Sequence, residues 1–368
     1  MQQQKRHVLF CDSLPFWGGG EHWMVVVARA LAAQGWQTTI AGREGAEILN
    51  RARLAGVSTV AWSYRRDFDI RTIVAANRYL HTYRPDAVVI TTGRDVRTVG
   101  LVARWRKIPV LWRMGLKPKH TWVHRVTGQW VVGSVIAPSE YVRNDLEQFP
   151  WLRGKTTVIP NGIAPIDPLT AERIAAARAA LNWQPDERVI LYAGRLLMVK
   201  GVDLLIRAFA ALVPQFPTAR LALVGDGTDG DRFRRLALET GVAGRVDFCG
   251  YTTDPSTYFD ACDVFALASR SETFGFVLLE AMIRGKPVVA TRVGAVPEVA
   301  TDDSVLLVPQ DDPRAIAEAL TALLNDPRQR SALGERGRCR VAEQFSEERM
   351  VERTARLLEQ VIANSRRG

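Results

Sequence analysis

A length of 368 residues, 47% of them hydrophobic and 24% charged, exceeds one ordinary core and predicts two domains of roughly 150 to 200 residues, excluding disordered and fibrous classes. No apolar run reaches the roughly 18 residues that span a bilayer, and residues Met1 to Arg6 lead straight into a strand pattern instead of a signal peptide. The formal charge of +10 is uneven: residues 1–165 hold 23 Lys+Arg against 11 Asp+Glu, and the remainder 26 against 28. Nine of the ten tryptophans also fall in the first half. A basic, aromatic half predicts one anionic partner surface. Cys11, Cys249, Cys262 and Cys339 form no Cys-x-x-Cys pair, so structural zinc and disulfides are not expected and a cytoplasmic setting fits.

Strand-like runs alternate with helix-like ones from end to end, the pattern of parallel sheets wrapped by helices. His7 to Cys11 reads as a strand, Glu21 to Ala33 as a helix stopped by Gly35, and Gln37 to Ala41 as a strand. Ala87 to Thr91, Val110 to Trp112, Ser134 to Ala137 and Thr157 to Ile159 continue the first sheet. Pro160-Asn161-Gly162, followed by Pro165 and Pro168, places a domain junction there. A second alternation takes in Val189 to Tyr192, Arg220 to Val224, Val246 to Cys249, Val264 to Ala268, Pro287 to Ala290 and Val305 to Val308. Ala315 to Leu324 is a clear helix, and Glu347 to Asn364 is a last helix with no strand after it. Ligands of such sheets sit at the carboxyl ends of the strands.

The segment Ser271 to Met282 carries the strongest chemical signal. It follows a predicted strand and opens a helix, whose first N–H groups and partial positive charge favour a phosphate. Gly275 allows close backbone approach. Glu280 is suited to a ribose diol, and Glu272, just before the helix, is expected to be free to face a sugar hydroxyl. About eight residues of mostly helical rise separate the two carboxylates by roughly 12 Å, too far for a glycosidase pair. Gly18-Gly19-Gly20 follows the first strand and reads as a phosphate-facing loop. Gly225 to Gly230 matches G-x-G-x-x-G, but its two aspartates would repel a pyrophosphate, which argues against NAD. His120 and His124 lack the Glu of a zinc-binding His-Glu-x-x-His.

The ordered set of these segments resembles the retaining GT-B glycosyltransferases of group 1, also called family GT4. Glu272 and Glu280 match the family's E-x7-E signature, Gly18 to Glu21 its glycine loop, and Gly285 to Val289 the sequel to that helix. Pro138-Ser139-Glu140 and Ile159 to Gly162 are similar to its inter-domain segments, and Ala193 to Gly201 to its diphosphate clamp. The resemblance implies an α/β fold of two Rossmann-like doubly wound parallel-sheet domains facing a central cleft. Residues 1–165 would form the acceptor-side domain and 166–345 the nucleotide-sugar domain, with helix 346–368 packing back on the first.

It further implies transfer of a sugar from a UDP- or GDP-linked donor, with retention, to a lipid-linked or lipopolysaccharide-type glycan. Arg195, Lys200 and Glu272 would be catalytic, the two cations standing in place of a metal. Gly19, Gly20, the backbone of Phe274, Gly275, Phe276 and Val277, and Glu280 would bind the donor. The family commonly has a His where this chain has Arg113, so Arg113 and His120 are the acceptor-side candidates. No cofactor, metal or nucleic acid is expected. Other GT-B chemistry, such as sugar-nucleotide epimerisation, or a catalytically silent binding subunit are the alternatives. Nine cations from Arg94 to Arg125, interleaved with Trp105, Trp112 and Trp122, suggest docking on an anionic membrane face.

Overall fold

The computed structural model of the protein describes residues 5–115 and 122–367. The chain divides into two units, the first running to Asn161 and rejoined by the segment from Glu347, the second spanning Gly162–Ser346.

Seven strands build the first unit's sheet: β1 (His7–Asp12), β2 (Gln37–Arg43), β3 (Ser58–Trp62), β4 (Ala87–Ile90), β5 (Val110–Arg113), β6 (Ser134–Ala137) and β7 (Thr156–Val158). All run parallel in the order β3-β2-β1-β4-β5-β6-β7. Every residue of β1 and β4 is buried, because helices cover both faces of such a sheet and leave no solvent side on which polar residues could alternate. The edge strand β3 has mixed exposure, and its sequence, Ser-Thr-Val-Ala-Trp, shows neither an apolar run nor a clean alternation, so the sequence pattern does not reveal it. The helix Glu347–Arg367 sets Met350, Val351, Leu357, Leu358 and Ile362 against the core of this same unit. Exposed ion pairs from Arg6 to Glu359, Arg29 to Glu347 and Arg366 to Asp86 border it; such pairs contribute little, and the apolar face holds the helix down.

The second unit repeats the plan with six strands: β8 (Arg188–Ala193), β9 (Ala219–Val224), β10 (Val246–Gly250), β11 (Val264–Leu267), β12 (Val288–Thr291) and β13 (Leu306–Val308). Their parallel order is β10-β9-β8-β11-β12-β13. In each sheet the winding direction reverses once, between β1 and β4 in the first and between β8 and β11 in the second. Loops leaving two strands at such a point diverge to opposite faces and open the crevice in which doubly wound folds bind ligands.

Gly201 is what lets the β8 and β11 loops meet. Its φ is +66°, and a Cβ placed there would lie 1.8 Å from the Ala268 carbonyl oxygen. Gly201→Ala is therefore expected to destabilise the second unit by about 3 kcal/mol or more, combining left-handed strain with overpacking. Gly35→Ala, also left-handed but with nothing within 4 Å of the added atom, should cost about 1–2 kcal/mol. Urea unfolding of the two variants reads the difference; equal losses would mean the close approach does not matter.

Candidate active site

After β8 the chain turns back on itself through residues 194–201. The Tyr192 hydroxyl donates to the Arg195 carbonyl oxygen at 2.8 Å, which fixes the backbone of Arg195. The Gly225–Gly230 turn pins the other side: Leu196 N–H donates to the Asp226 carbonyl at 2.9 Å, Asp229 N–H to that of Leu196 at 3.1 Å, and Met198 N–H to the Asp229 carboxylate at 2.8 Å. The two aspartates thus serve as a brace for the loop. Arg195 is exposed, and its guanidinium has no hydrogen-bond or ion-pair partner among the described residues.

Lys200 reaches across to the loop after β11. Its Nζ lies 2.6 Å from Glu272 Oε1, which also accepts from Ser269 Oγ at 2.8 Å. Glu272 is buried, at 7% exposure, and is therefore not the free carboxylate that its position ahead of the helix suggests. β8 and β11 are adjacent, so the lysine and the glutamate, 72 residues apart, leave neighbouring strand ends and pair. Only Oε2 remains without a hydrogen bond among the described residues. The Glu272 backbone is gripped too: its carbonyl accepts from Ala295 N–H at 3.0 Å, and a Cβ on Gly294 would come within 1.9 Å of that oxygen.

Arg270 does the remaining positioning, and nothing in the sequence signals it. Its guanidinium donates to both Asp203 oxygens at 2.8 and 2.9 Å, to Asp311 at 2.6 Å and to the Met198 carbonyl at 2.6 Å, while its N–H donates to the Val199 carbonyl at 2.8 Å. Those partners lie 41 to 72 residues away in the chain, beyond the reach of any local pattern.

The helix Phe276–Ile283 starts from Gly275 at φ +82° with no side-chain cap and no acidic residue in its first turn. No carboxylate competes there for the positive end of the helix dipole. Phe274 is buried and meets Phe345 edge to face at 5.9 Å, so what it offers outward is backbone; Phe276 and Val277 are half-buried. Glu280, half-buried, has a carboxylate without a hydrogen-bond or ion-pair partner among the described residues. Arg284 gives its guanidinium instead to Asp260, Ser256 and the Glu280 carbonyl. Burial pushes the Glu280 carboxyl from 4.5 up to about 7, with Arg284 holding it down and Asp254 adding to the rise.

In the first unit Gly19 and Gly20 lie within the first turn of the helix Gly19–Ala33, with Gly18 as its N-cap, so they are helical and not a loop. Arg113, at the end of β5, is buried: it donates to Asn161 at 2.9 Å and lies over the Trp23 ring at 5.3 Å. Burial lowers its pKa to about 10, offset by Glu21 and Asp12. Burial and repulsion from Asp95 and Glu21 raise Asp12, and burial raises Asp95 to about 6. Arg113 is thus the counter-charge of a buried carboxylate cluster at the ends of β1 and β4. His120, with Lys117 and Lys119, lies outside the described residues.

Two family models match in tandem: Glycosyltransferase Family 4 over residues 17–165 and Glycosyl transferases group 1 over 174–340. The chain belongs to the group 1, family 4 glycosyltransferases. The lipopolysaccharide core biosynthesis glycosyltransferase LpsE of Rhizobium meliloti is 28% identical over 93% of this chain and 96% of its own length. A GDP-mannose-dependent monoacylated alpha-(1-6)-phosphatidylinositol monomannoside mannosyltransferase of Corynebacterium glutamicum is 35% identical over 55% of each chain. The crystal structure of Anabaena HepE in complex with UDP and glucose superposes with a TM-score of 0.87 at 20% identity, covering 96% of this chain and all of that one. That likeness confirms the GT-B fold of two parallel-sheet Rossmann-like domains.

Within this glycosyltransferase, Arg195, Lys200, Glu272 and the turn from Phe274 to Val277 follow β8 and β11 at the reversal, Glu280 lies further along the next helix near Arg284 and Asp254, and Gly19, Gly20 and Arg113 belong to the β1 and β5 ends of the other unit. The predicted basic face is partly dismantled: Arg97, Arg113 and Trp112 are buried. Arg104, Trp105, Lys107, Arg125 and Trp130 stay exposed.

The Glu280 carboxyl also sets a stability expectation. Because its folded pKa is raised, the stability it lends is complete below about pH 4.5 and is lost as pH rises through about 7. Glu280→Gln should accordingly raise the melting temperature at pH 8 and leave it nearly unchanged at pH 4.5. Thermal unfolding at the two pH values checks this; an equal shift at both would place the carboxylate in water.

Proposed function

We propose that this chain is a metal-independent, retaining glycosyltransferase that takes a UDP- or GDP-linked sugar and passes it to a lipid-linked or lipopolysaccharide-type glycan. The observation that carries this reading is the Lys200–Glu272 ion pair, standing beside the unpaired Arg195 guanidinium and the uncapped helix start at Gly275. Two cations and a helix N-terminus converging on one strand-end crevice suit a diphosphate. Lys200 carries its charge into the site already oriented, and a diphosphate offers it a second anionic partner. Glu272 Oε2 is left to accept from a sugar hydroxyl, and the Glu280 carboxylate from a ribose diol. A ribose hydroxyl donating to that carboxylate favours its ionised form, so donor binding should weaken below about pH 7.

In the transfer step the bond between the anomeric carbon and the diphosphate oxygen breaks, the acceptor oxygen bonds to that carbon from the same face, and the acceptor proton passes to a donor phosphate oxygen. Charge grows on the leaving diphosphate, where Arg195, Lys200 and the helix N-terminus stabilise it more than in the ground state. The UDP in the HepE complex and the GDP-mannose named for the C. glutamicum enzyme support the donor classes. The names of LpsE and of the mannosyltransferase support an acceptor with a lipid portion.

Arg195→Ala and Lys200→Ala should each lower turnover by about 10²-fold or more. Activity should also survive EDTA, since in this reading Arg195 and Lys200 supply the positive charge that a metal would bring to the diphosphate. Near-normal turnover in both variants, or full loss on chelation restored by Mg²⁺, would refute the cation clamp.

A lipid-borne acceptor calls for a membrane-facing surface, since no helix among the described residues is long and apolar enough to cross a membrane. Trp105 and Trp130 are 71% and 53% exposed, with Arg106 and Arg104 over their rings at 5.7 and 5.6 Å. Exposed indoles paired with cations suit the headgroup layer of an anionic leaflet. Binding to anionic vesicles should fall with rising salt and drop when Trp105 and Trp130 are changed to Ser. Equal binding to neutral vesicles would contradict this.

A further inference from the structure

Arg97 is the buried cation for which the donor chemistry has no use. It lies on the π-helical turn Val96–Gly100 that follows β4, a rare geometry concentrated at functional positions. Its side chain is only 5% exposed, and its one partner among the described residues is Asp67, whose Oδ2 lies 2.5 Å from Nη2. Both Nε and Nη1 are buried without a hydrogen bond. Because Nη2 is shared by the two hydrogen-bonding edges of a guanidinium, this single contact leaves each edge half used, although paired oxygens are what the fork matches best.

Asp67 is shared further. Its Oδ1 faces Arg94 Nε at 3.4 Å, and its carboxylate is itself 50% exposed. Two guanidinium groups therefore divide one half-exposed carboxylate, and Arg65 and Arg66, exposed on the same loop, add to the excess. Asp69 does not redress it: that carboxylate is turned inward to Ser63, Thr72 and the Arg65 N–H. Buried cations are normally matched in charge and in hydrogen bonds; Arg97 has two unfilled donors and must share its one carboxylate with Arg94, which is 29% exposed and also donates to the Tyr64 carbonyl.

We propose that Arg97 and Arg94 form a subsite for a phosphate monoester on the glycosyl acceptor, with Asp67 occupying it in the ligand-free protein. A phosphate dianion supplies the second negative charge and enough oxygens to fill a complete edge of Arg97 while reaching Arg94. Its place at the carboxyl ends of β3 and β4 is where this fold presents ligands. The proposal rests on the acceptor being bound by the first unit of a glycosyltransferase, and specifies one chemical group on that acceptor.

Calorimetric titration of the full-length chain with inorganic phosphate and with mannose 6-phosphate, at fixed low ionic strength, tests it. The expected result is a site that prefers the sugar phosphate, loses at least tenfold in affinity in Arg97→Met, and gains several-fold in Asp67→Asn. Arg195→Ala should leave it unmoved, which separates it from phosphate held by the donor clamp. A parallel UDP titration reads the donor assignment: phosphate bound with UDP ignored would sink that assignment and leave this one standing. No phosphate binding, a dependence on Arg195 instead of Arg97, or equal preference for inorganic phosphate would overturn the proposal. Should Arg97→Met fail to fold, Asp67→Asn decides alone, and an unchanged or weaker affinity there counts against it.

Discussion

An ammonium 2.6 Å from a buried carboxylate, Lys200 against Glu272, is the contact on which the second unit's site depends. It joins the loop after β8 to the loop after β11, and the surrounding packing exists to make that contact geometrically possible. Gly201 lets the first loop lie against the Ala268 backbone, Gly294 lets a third segment lie against Glu272, and Arg270 ties both loops to Asp203 and Asp311. A buried ion pair is weak evidence for stability, because desolvation offsets much of the attraction. Here its consequence is placement: the cation arrives at the strand ends already oriented.

Around that fixed point two charged side chains are left without a protein partner among the described residues. Among the described residues the Glu280 carboxyl, pushed up to about 7, and the Arg195 guanidinium have no hydrogen-bond or ion-pair partner, and the N-cap Gly275 offers no side chain to the helix it opens. Only the buried Glu280 carboxyl costs stability, and that when it ionises; in the proposed reading the three groups receive a diol and two phosphates. The first unit behaves differently at its β1 and β4 ends. There Arg113 lies close enough to Glu21 and Asp12 to feel both charges, Asp95 is raised to about 6 and keeps one buried oxygen without a hydrogen bond, and the positive charge lies on Arg94 and Arg97, which share Asp67.

What the sequence made legible follows burial. Strands closed on both faces, such as Val-Ile-Leu-Tyr-Ala in β8, read as unbroken apolar runs, and the repeated alternation of strand and helix predicts parallel sheets, while the reversal of strand order is supplied by the fold. The edge strand β3 carries no such run because one side meets solvent. Composition marked the first half as basic, yet it could not say that Arg97, Arg113 and Trp112 point inward, since a charge run reads the same whether its members are solvated or paired. Spacing brought out Glu272 and Glu280 but suggested a free Glu272. Its partner Lys200 comes from a strand distant in sequence, as do the partners of Arg270, and only the fold supplies such neighbours.

The central claim is that the β8/β11 crevice holds a nucleotide diphosphate-sugar and releases its sugar with the anomeric configuration kept. Proton NMR of the full chain incubated with UDP- and GDP-linked sugars and a phosphorylated lipid-linked acceptor follows both events in one sample. The account predicts release of one nucleotide together with an α-linked product from an α-linked donor. A β-linked product, or no nucleotide released from any donor in the panel, would contradict it.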